Sequence, residues 1–91
     1  MNAAEFESTL RAEGFDEIVD KELPAEYRAA EHAHPFDVRA LVLSGEITLT
    51  VEGRARAYRE GEVFVMPAGC RHEERVGSAG VRYVAGRRHL K

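Results

Sequence analysis

Glycine and proline divide most of this chain into short apolar segments, and this division restricts the fold more than any other feature. In one such segment, Ile47, Leu49 and Val51 alternate with polar residues, the pattern of a half-buried strand. About eight short strands separated by glycine turns predict an all-β fold, a jelly-roll sandwich or barrel. The predicted strands are Phe15–Leu23, Tyr27–His34, Phe36–Leu43, Glu46–Val51, Ala55–Tyr58, Glu62–Met66, Cys70–Val76 and Val81–Ala85.

The first fourteen residues have the pattern of a short helix instead. Asn2 can cap the free N–H groups, Glu5 stands at the third helical position, and Gly14 can end the helix in a left-handed conformation. Phe6 and Leu10 are four residues apart and would form its apolar face. We expect this helix to lie across the outside or one open end of the barrel; the alternative is a lid over a pocket.

Three of the four histidines form a pattern that indicates a metal site. Alternate side chains of a strand point the same way, so His32 and His34 would project from one face. His72 follows a tight turn at Pro67-Ala68-Gly69 and can close a three-nitrogen site. Imidazole suits iron, nickel, copper and zinc, and three protein ligands leave coordination positions open for water or substrate.

This spacing resembles the two short motifs of the cupin family. The first motif keeps two histidines and its final glycine, and the second keeps two glycines, a proline and a histidine: His32, His34, Gly45, Gly61, Pro67, Gly69 and His72. The resemblance implies one compact cupin domain over residues 1–91, with a helix in 1–14 and a β-barrel in 15–88.

The chain departs from the family pattern at the carboxylate ligand. The family's leading glycine is Glu26 here, its carboxylate position is Val38 (or Arg39 if the strand carries one extra residue), and its terminal Asn is Val76. The resemblance therefore implies at most a three-histidine site, similar to that of cysteine-dioxygenase-like cupins, or a cupin without metal. Without the carboxylate, affinity for hard ions such as Mn²⁺ should fall most, and Val38→Glu should restore it.

Strand alternation predicts the lining of a pocket beside the histidines. Ala30 would point inward with them, as would Arg28 if no bulge intervenes, and Cys70 and Glu74 share the face of His72. On the next strand the same face is apolar, which suits a small organic ligand: Phe36, Val38, Ala40 and Val42.

Several of these residues have two interpretations each. Cys70 is either a small core residue or a weak ligand, and Glu74 is either a solvated strand residue or a general base. Arg28 either lies at the surface or binds a substrate carboxylate. Arg39 fits a structural ion pair with Asp37 or a neighbouring glutamate, and His89 fits a solvated tail better than a fourth ligand.

The composition restricts the possible binding partners and the cellular location of the protein. A net charge of −3 gives no electrostatic reason to expect nucleic-acid binding. One cysteine cannot form an internal disulfide, which fits a cytoplasmic location, and no apolar run approaches the roughly 20 residues that cross a membrane. Leu41 and Leu43 lie opposite the predicted pocket face, so we expect a homodimer through this patch; the alternative is that the N-terminal helix covers it.

No nucleophile triad or phosphate-binding glycine loop is present, so any chemistry would depend on the metal. Three classes of function remain. The first is a non-haem metal enzyme, dioxygenase-like, that acts on a small organic molecule. The second is a module that binds or senses a small ligand, with or without metal, and the third is a metal-free oligomeric fold.

Overall fold

A computed structural model describes residues 1–89 and contains one helix and six strands. All strand pairings are antiparallel. The all-β jelly roll with a short N-terminal helix, predicted from the glycine and proline pattern, is confirmed. The elements are α1 (Ala3–Ala12), β1 (Glu17–Leu23), β2 (Arg28–His32), β3 (Phe36–Val51), β4 (Arg54–Arg59), β5 (Val63–Met66) and β6 (His72–His89).

Two long strands, β3 and β6, lie at the centre of the strand pairing. They pair with each other from Phe36↔His89 to Thr50↔Glu73, and the shorter strands add to their two ends. Strand β1 pairs with the second half of β6 and β5 with the first half of β3, whereas β2 and β4 pair with the other halves. Each long strand therefore contributes to both halves of the sandwich.

The prediction of eight strands is wrong because two presumed turns are continuous strand. Residues 44–45 lie inside β3 and residues 77–80 lie inside β6, where the β3–β6 register shifts. Gly45 has φ of +77°, and a Cβ atom there would lie 1.9 Å from the carbonyl oxygen of Gly80. Glycine is needed at this position because the two long strands approach closely where they bend.

The core between the two halves comes mainly from alternating residues of β3 and β6. They point inward as the period of two predicted, and they pack with side chains of β5. The buried members of this core are Val38, Ala40, Val42, Ile47, Leu49, Phe64, Met66, Val76, Val81, Tyr83 and Ala85.

Helix α1 packs on the opposite face of the long strands. Asn2 and Glu5 form the predicted capping box, and Phe6 and Leu10 are buried in a second core cluster. Leu41 belongs to that cluster and is only 2% exposed. Helix α1 therefore covers Leu41 within one chain, as in the alternative to a homodimer interface, and Leu41 itself offers almost no exposed surface for a partner.

Candidate metal centre

Four side chains from two elements and one connection meet at one end of the sandwich. His32 ends β2, His34 follows two residues later, and His72 and Glu74 lie at the start of β6. One ligand atom from each of the four lies within 4.8 Å of the others. The structure thus brings together the three histidines singled out by their spacing, and it adds a carboxylate. We call these four residues the His₃Glu cluster.

Glu74 corrects the expectation of at most three ligand groups and of a solvated strand residue. Its side chain is 15% exposed, and its Oε2 atom lies 3.0 Å from Nε2 of His32 and 3.6 Å from Nε2 of His72. Val38, which occupies the family's carboxylate position, is buried and lines the cavity next to the cluster. The carboxylate is therefore supplied by β6 instead of β3. Its signal in the sequence was its alternation with His72.

Backbone carbonyl groups hold two of the imidazole rings. Nδ1 of His32 lies 2.8 Å from the carbonyl oxygen of Ala30, and Nδ1 of His72 lies 3.0 Å from that of Cys70. A carbonyl oxygen only accepts hydrogen bonds, so each Nδ1 carries the proton and the Nε2 of a neutral ring has a free lone pair. Such carbonyl partners orient metal-binding histidines in proteins.

The contact between His32 and Glu74 indicates whether these residues suit a metal ion. A lone pair on Nε2 and a carboxylate oxygen repel each other at 3.0 Å unless a proton or a cation lies between them. Three imidazoles and one carboxylate are also a ligand set that suits divalent transition ions. The cluster can therefore hold a metal ion.

His34 is favoured in its neutral form. Burial lowers its pKa below the ordinary 6.5, and the neighbouring His32 and His72 lower it further, whereas Glu74 raises it. The ring of His34 stacks on that of Phe36, with centroids 5.0 Å apart and planes at 12°. A half-buried neutral imidazole held by stacking can donate its lone pair to a cation.

The loop before His72 is tied to the strand that follows His34. The N–H of Gly69 donates to the carbonyl oxygen of His34 at 2.8 Å, and the N–H of Ala68 donates to Oδ1 of Asp37 at 2.8 Å. Arg88 binds the other oxygen of Asp37 at 3.1 Å. The Ala68 N–H, followed by Arg88, lowers the pKa of the Asp37 carboxyl group. These bonds fix the position of both motifs relative to each other.

A cavity of about 210 Å³ opens beside the cluster. Its walls differ from the predicted apolar lining, and on β2 the cause is a register shift between Ala29 and His32. Ala29 lines the cavity in place of Ala30, and Arg28 is exposed, so Arg28 is not the ligand-binding residue. Phe36 and Val38 line the cavity as predicted, whereas Ala40 and Val42 lie in the core. Four polar side chains that the alternation argument did not identify also line it: Lys21, Tyr27, Tyr83 and Arg87.

The remaining candidates lie outside the cluster. Cys70 is half-buried against the core. Arg39 pairs with Glu13, which confirms a structural ion pair but with a residue just after α1. His89 is exposed, and its Nδ1 lies 3.1 Å from Oδ2 of Asp16. No helix within residues 1–89 is long and apolar enough to cross a membrane.

A family model described as a cupin domain matches residues 21–85. The chain belongs to the cupin family. The fold of this cupin is similar to that of a protein of unknown function from Rhizobium leguminosarum, with a TM-score of 0.75 at 18% identity over 80% of this chain and 69% of the other. It is also similar to a cupin-2 domain containing protein from Shewanella frigidimarina, with a TM-score of 0.66 at 19% identity over 80% and 72% of the chains.

A third similar structure is that of KdgF from Halomonas sp., with a TM-score of 0.66 at 18% identity over 81% of this cupin and 69% of KdgF. At these identities the likeness establishes the fold alone. No curated protein matches the chain.

Proposed function

We propose that this cupin binds a divalent transition metal ion (iron, nickel, copper or zinc) through His32, His34, His72 and Glu74. The observation that carries the proposal is the pair of contacts at His32. Its Nδ1 faces the carbonyl oxygen of Ala30 and its Nε2 faces the carboxylate of Glu74, so both ring nitrogens meet oxygen acceptors. A cation between Nε2 and the carboxylate removes this conflict without protonating the ring.

We further propose that the cavity beside the cluster binds a small organic molecule at coordination positions that the protein leaves open. A bound divalent ion polarises a ligand oxygen as a Lewis acid, and iron with open positions can activate dioxygen. The protein's own residues that line the cavity hold and orient the ligand. This arrangement supports the binding of a small molecule. If the protein is an enzyme, the reaction we propose is dioxygenase-like.

Replacing Glu74 tests its role as the fourth ligand. Glu74→Gln removes the negative charge but keeps the size, so we expect Mn²⁺ affinity to fall by at least about tenfold, and Cu²⁺ affinity to fall less. Isothermal titration of metal-free protein measures both. Glu73→Gln is the matched control, because Glu73 is the preceding residue of β6 and is exposed.

Val38→Glu in the Glu74→Gln background should recover part of the Mn²⁺ affinity, because Val38 lines the same cavity. Equal Mn²⁺ affinity in Glu74→Gln and Glu73→Gln would contradict the role of Glu74.

The homodimer and the cytoplasmic location stay predictions. The apolar patch at Leu41 no longer supports the dimer, so light scattering tests it directly: a mass of about twice 10.2 kDa supports a dimer and a mass near 10.2 kDa rejects it. Leu41→Glu should destabilise the chain in either case, because Leu41 is buried under α1.

A further inference from the structure

Two basic side chains point into the cavity from neighbouring strands. On β1, Val19, Lys21 and Leu23 line the cavity, whereas the alternate residues Asp20 and Glu22 are exposed. On the adjoining half of β6 the lining residues are Tyr83, Ala85 and Arg87, and the exposed Arg82 lies on the other face. Strand alternation thus directs Lys21 and Arg87 inward.

Neither inward cation is fully neutralised by the protein. Within residues 1–89, no carboxylate oxygen lies within 4.0 Å of the Lys21 ammonium group, and Arg87 reaches Glu17 through one nitrogen at 3.5 Å. Arg82 on the outer face, by contrast, binds both oxygens of Asp20, at 2.9 and 3.2 Å. A guanidinium has five N–H donors, so Arg87 keeps donors for a further partner.

The ring of Phe36 contacts both Arg87 and the His₃Glu cluster. The guanidinium carbon of Arg87 is 4.9 Å from the centroid of the Phe36 ring, and the same ring stacks on His34. The phenol of Tyr83, which makes no hydrogen bond within residues 1–89, adds a neutral donor in the same cavity. A ligand beside the cluster can therefore reach both a cation and a hydroxyl group.

The charges of the cavity wall favour an anion. Glu74 is the one carboxylate among the lining residues, against the cations Lys21 and Arg87, and a divalent ion adds two further positive charges. A half-buried cation has lost part of its hydration, so an anionic partner stabilises it. The volume of about 210 Å³ is below the roughly 300–1,000 Å³ of pockets for drug-sized ligands.

We propose that the ligand of this cavity is a small organic acid whose carboxylate binds Arg87 beside the cluster, while Lys21 binds a second acidic or oxygen-rich group. The inference rests on the proposed function, because it places the acid next to the metal. Arginine matches a carboxylate with two parallel hydrogen bonds, whereas the lysine ammonium acts as a point charge.

The test compares acids with their neutral amides. Acetate, succinate and benzoate, and acetamide, succinamide and benzamide, are titrated into Zn²⁺-loaded protein by calorimetry, and the zinc content of each sample is measured by elemental analysis. We expect at least one acid to bind at least about tenfold more tightly than its amide. Arg87→Gln should weaken that acid about tenfold with the zinc content unchanged, and Lys21→Gln should weaken succinate more than acetate. Arg82→Gln, the control on the outer face, should bind like the unaltered protein.

The outcomes separate this inference from the metal proposal. Equal binding of every acid and its amide, or equal acid binding by Arg87→Gln and Arg82→Gln in zinc-containing samples, overturns the organic-acid assignment alone. Absence of zinc from the unaltered protein overturns the metal proposal. If acid binding in that protein still depends on Arg87 and Lys21, the cavity binds organic acids without a metal. If Arg87→Gln does not fold, Arg87→Lys and Lys21→Gln supply the same comparison, because Arg87→Lys keeps the charge and loses the paired hydrogen bonds.

Discussion

Zinc or nickel at about 1,000 times its dissociation constant should stabilise the folded protein by about 4 kcal/mol. The reason is that the His₃Glu cluster combines residues of β2 and β6 that are forty positions apart, so only the folded chain presents it. For a domain of this size the melting temperature should rise by more than about ten degrees. Thermal unfolding of metal-free protein, with and without added ion, measures the shift.

The matched control is the double variant His32→Ala/His72→Ala, which keeps Glu74 and the surface histidine His89. Its melting temperature should respond to the ion by no more than a weak nonspecific shift. Equal shifts in the double variant and the unaltered protein would mean that the ion binds elsewhere.

The stabilisation should also depend on pH. Protons compete with the metal for the imidazoles, so the metal-induced shift should decline as the pH falls toward and below about 6.5. Burial lowers the pKa of His34 in the folded protein, so between that lowered value and the ordinary 6.5 the unfolded chain binds more protons. The metal-free protein should therefore also lose stability as the pH falls through this window.

Gly45→Ala should be among the most destabilising substitutions in the chain, at about 4 kcal/mol or more. A Cβ atom there would lie 1.9 Å from the carbonyl oxygen of Gly80 and 2.9 Å from the Cα of Val81, both of them backbone atoms of β6. The positive φ of +77° adds a cost of about 1–2 kcal/mol for any residue with a side chain. Urea unfolding measures the loss.

Gly53→Ala separates the two causes. Gly53 has nearly the same φ, +76°, but no atom lies within 4 Å of a Cβ placed there. Its replacement should cost about 1–2 kcal/mol from the backbone conformation alone. Similar losses at both positions would show that β3 and β6 do not approach as closely as the structure indicates.

The same glycine shows where the sequence could mislead. Gly45 and Gly80 are glycines, and a glycine between two alternating segments most often marks a turn. Here each lies inside a long strand, because β3 and β6 bend together and only a glycine permits the approach. The alternation of Ile47, Leu49 and Val51 did predict their shared face, because a single strand determines it.

The candidate site was predictable to the extent that it depends on local spacing. His32 and His34 share one segment, and the turn before His72 has a recognisable form. Glu74 was predicted on the face of His72, but its nearness to His32 depends on the pairing of β2 with β6. Whether a side chain on that face is solvated or contacts a histidine is decided by that pairing.

Lys21 and Arg87 could be recognised as cavity residues only from the pairing of β1 with β6, which joins residues 58 to 70 positions apart in the sequence. Alternation within β1 cannot show which of its faces covers the cavity. The register shift in β2 had a similar effect, because it exchanged Ala30 for Ala29 and left Arg28 exposed.

Anomalous diffraction from crystals of zinc-loaded protein tests the central claim most directly. The account predicts one strong peak per chain at the zinc absorption edge, about 2.0–2.2 Å from a ring nitrogen of His32, His34 and His72 and from a carboxylate oxygen of Glu74. A peak bound only to surface groups such as His89 and Asp16, with the four residues of the cluster in contact with each other and no ion between them, would contradict it.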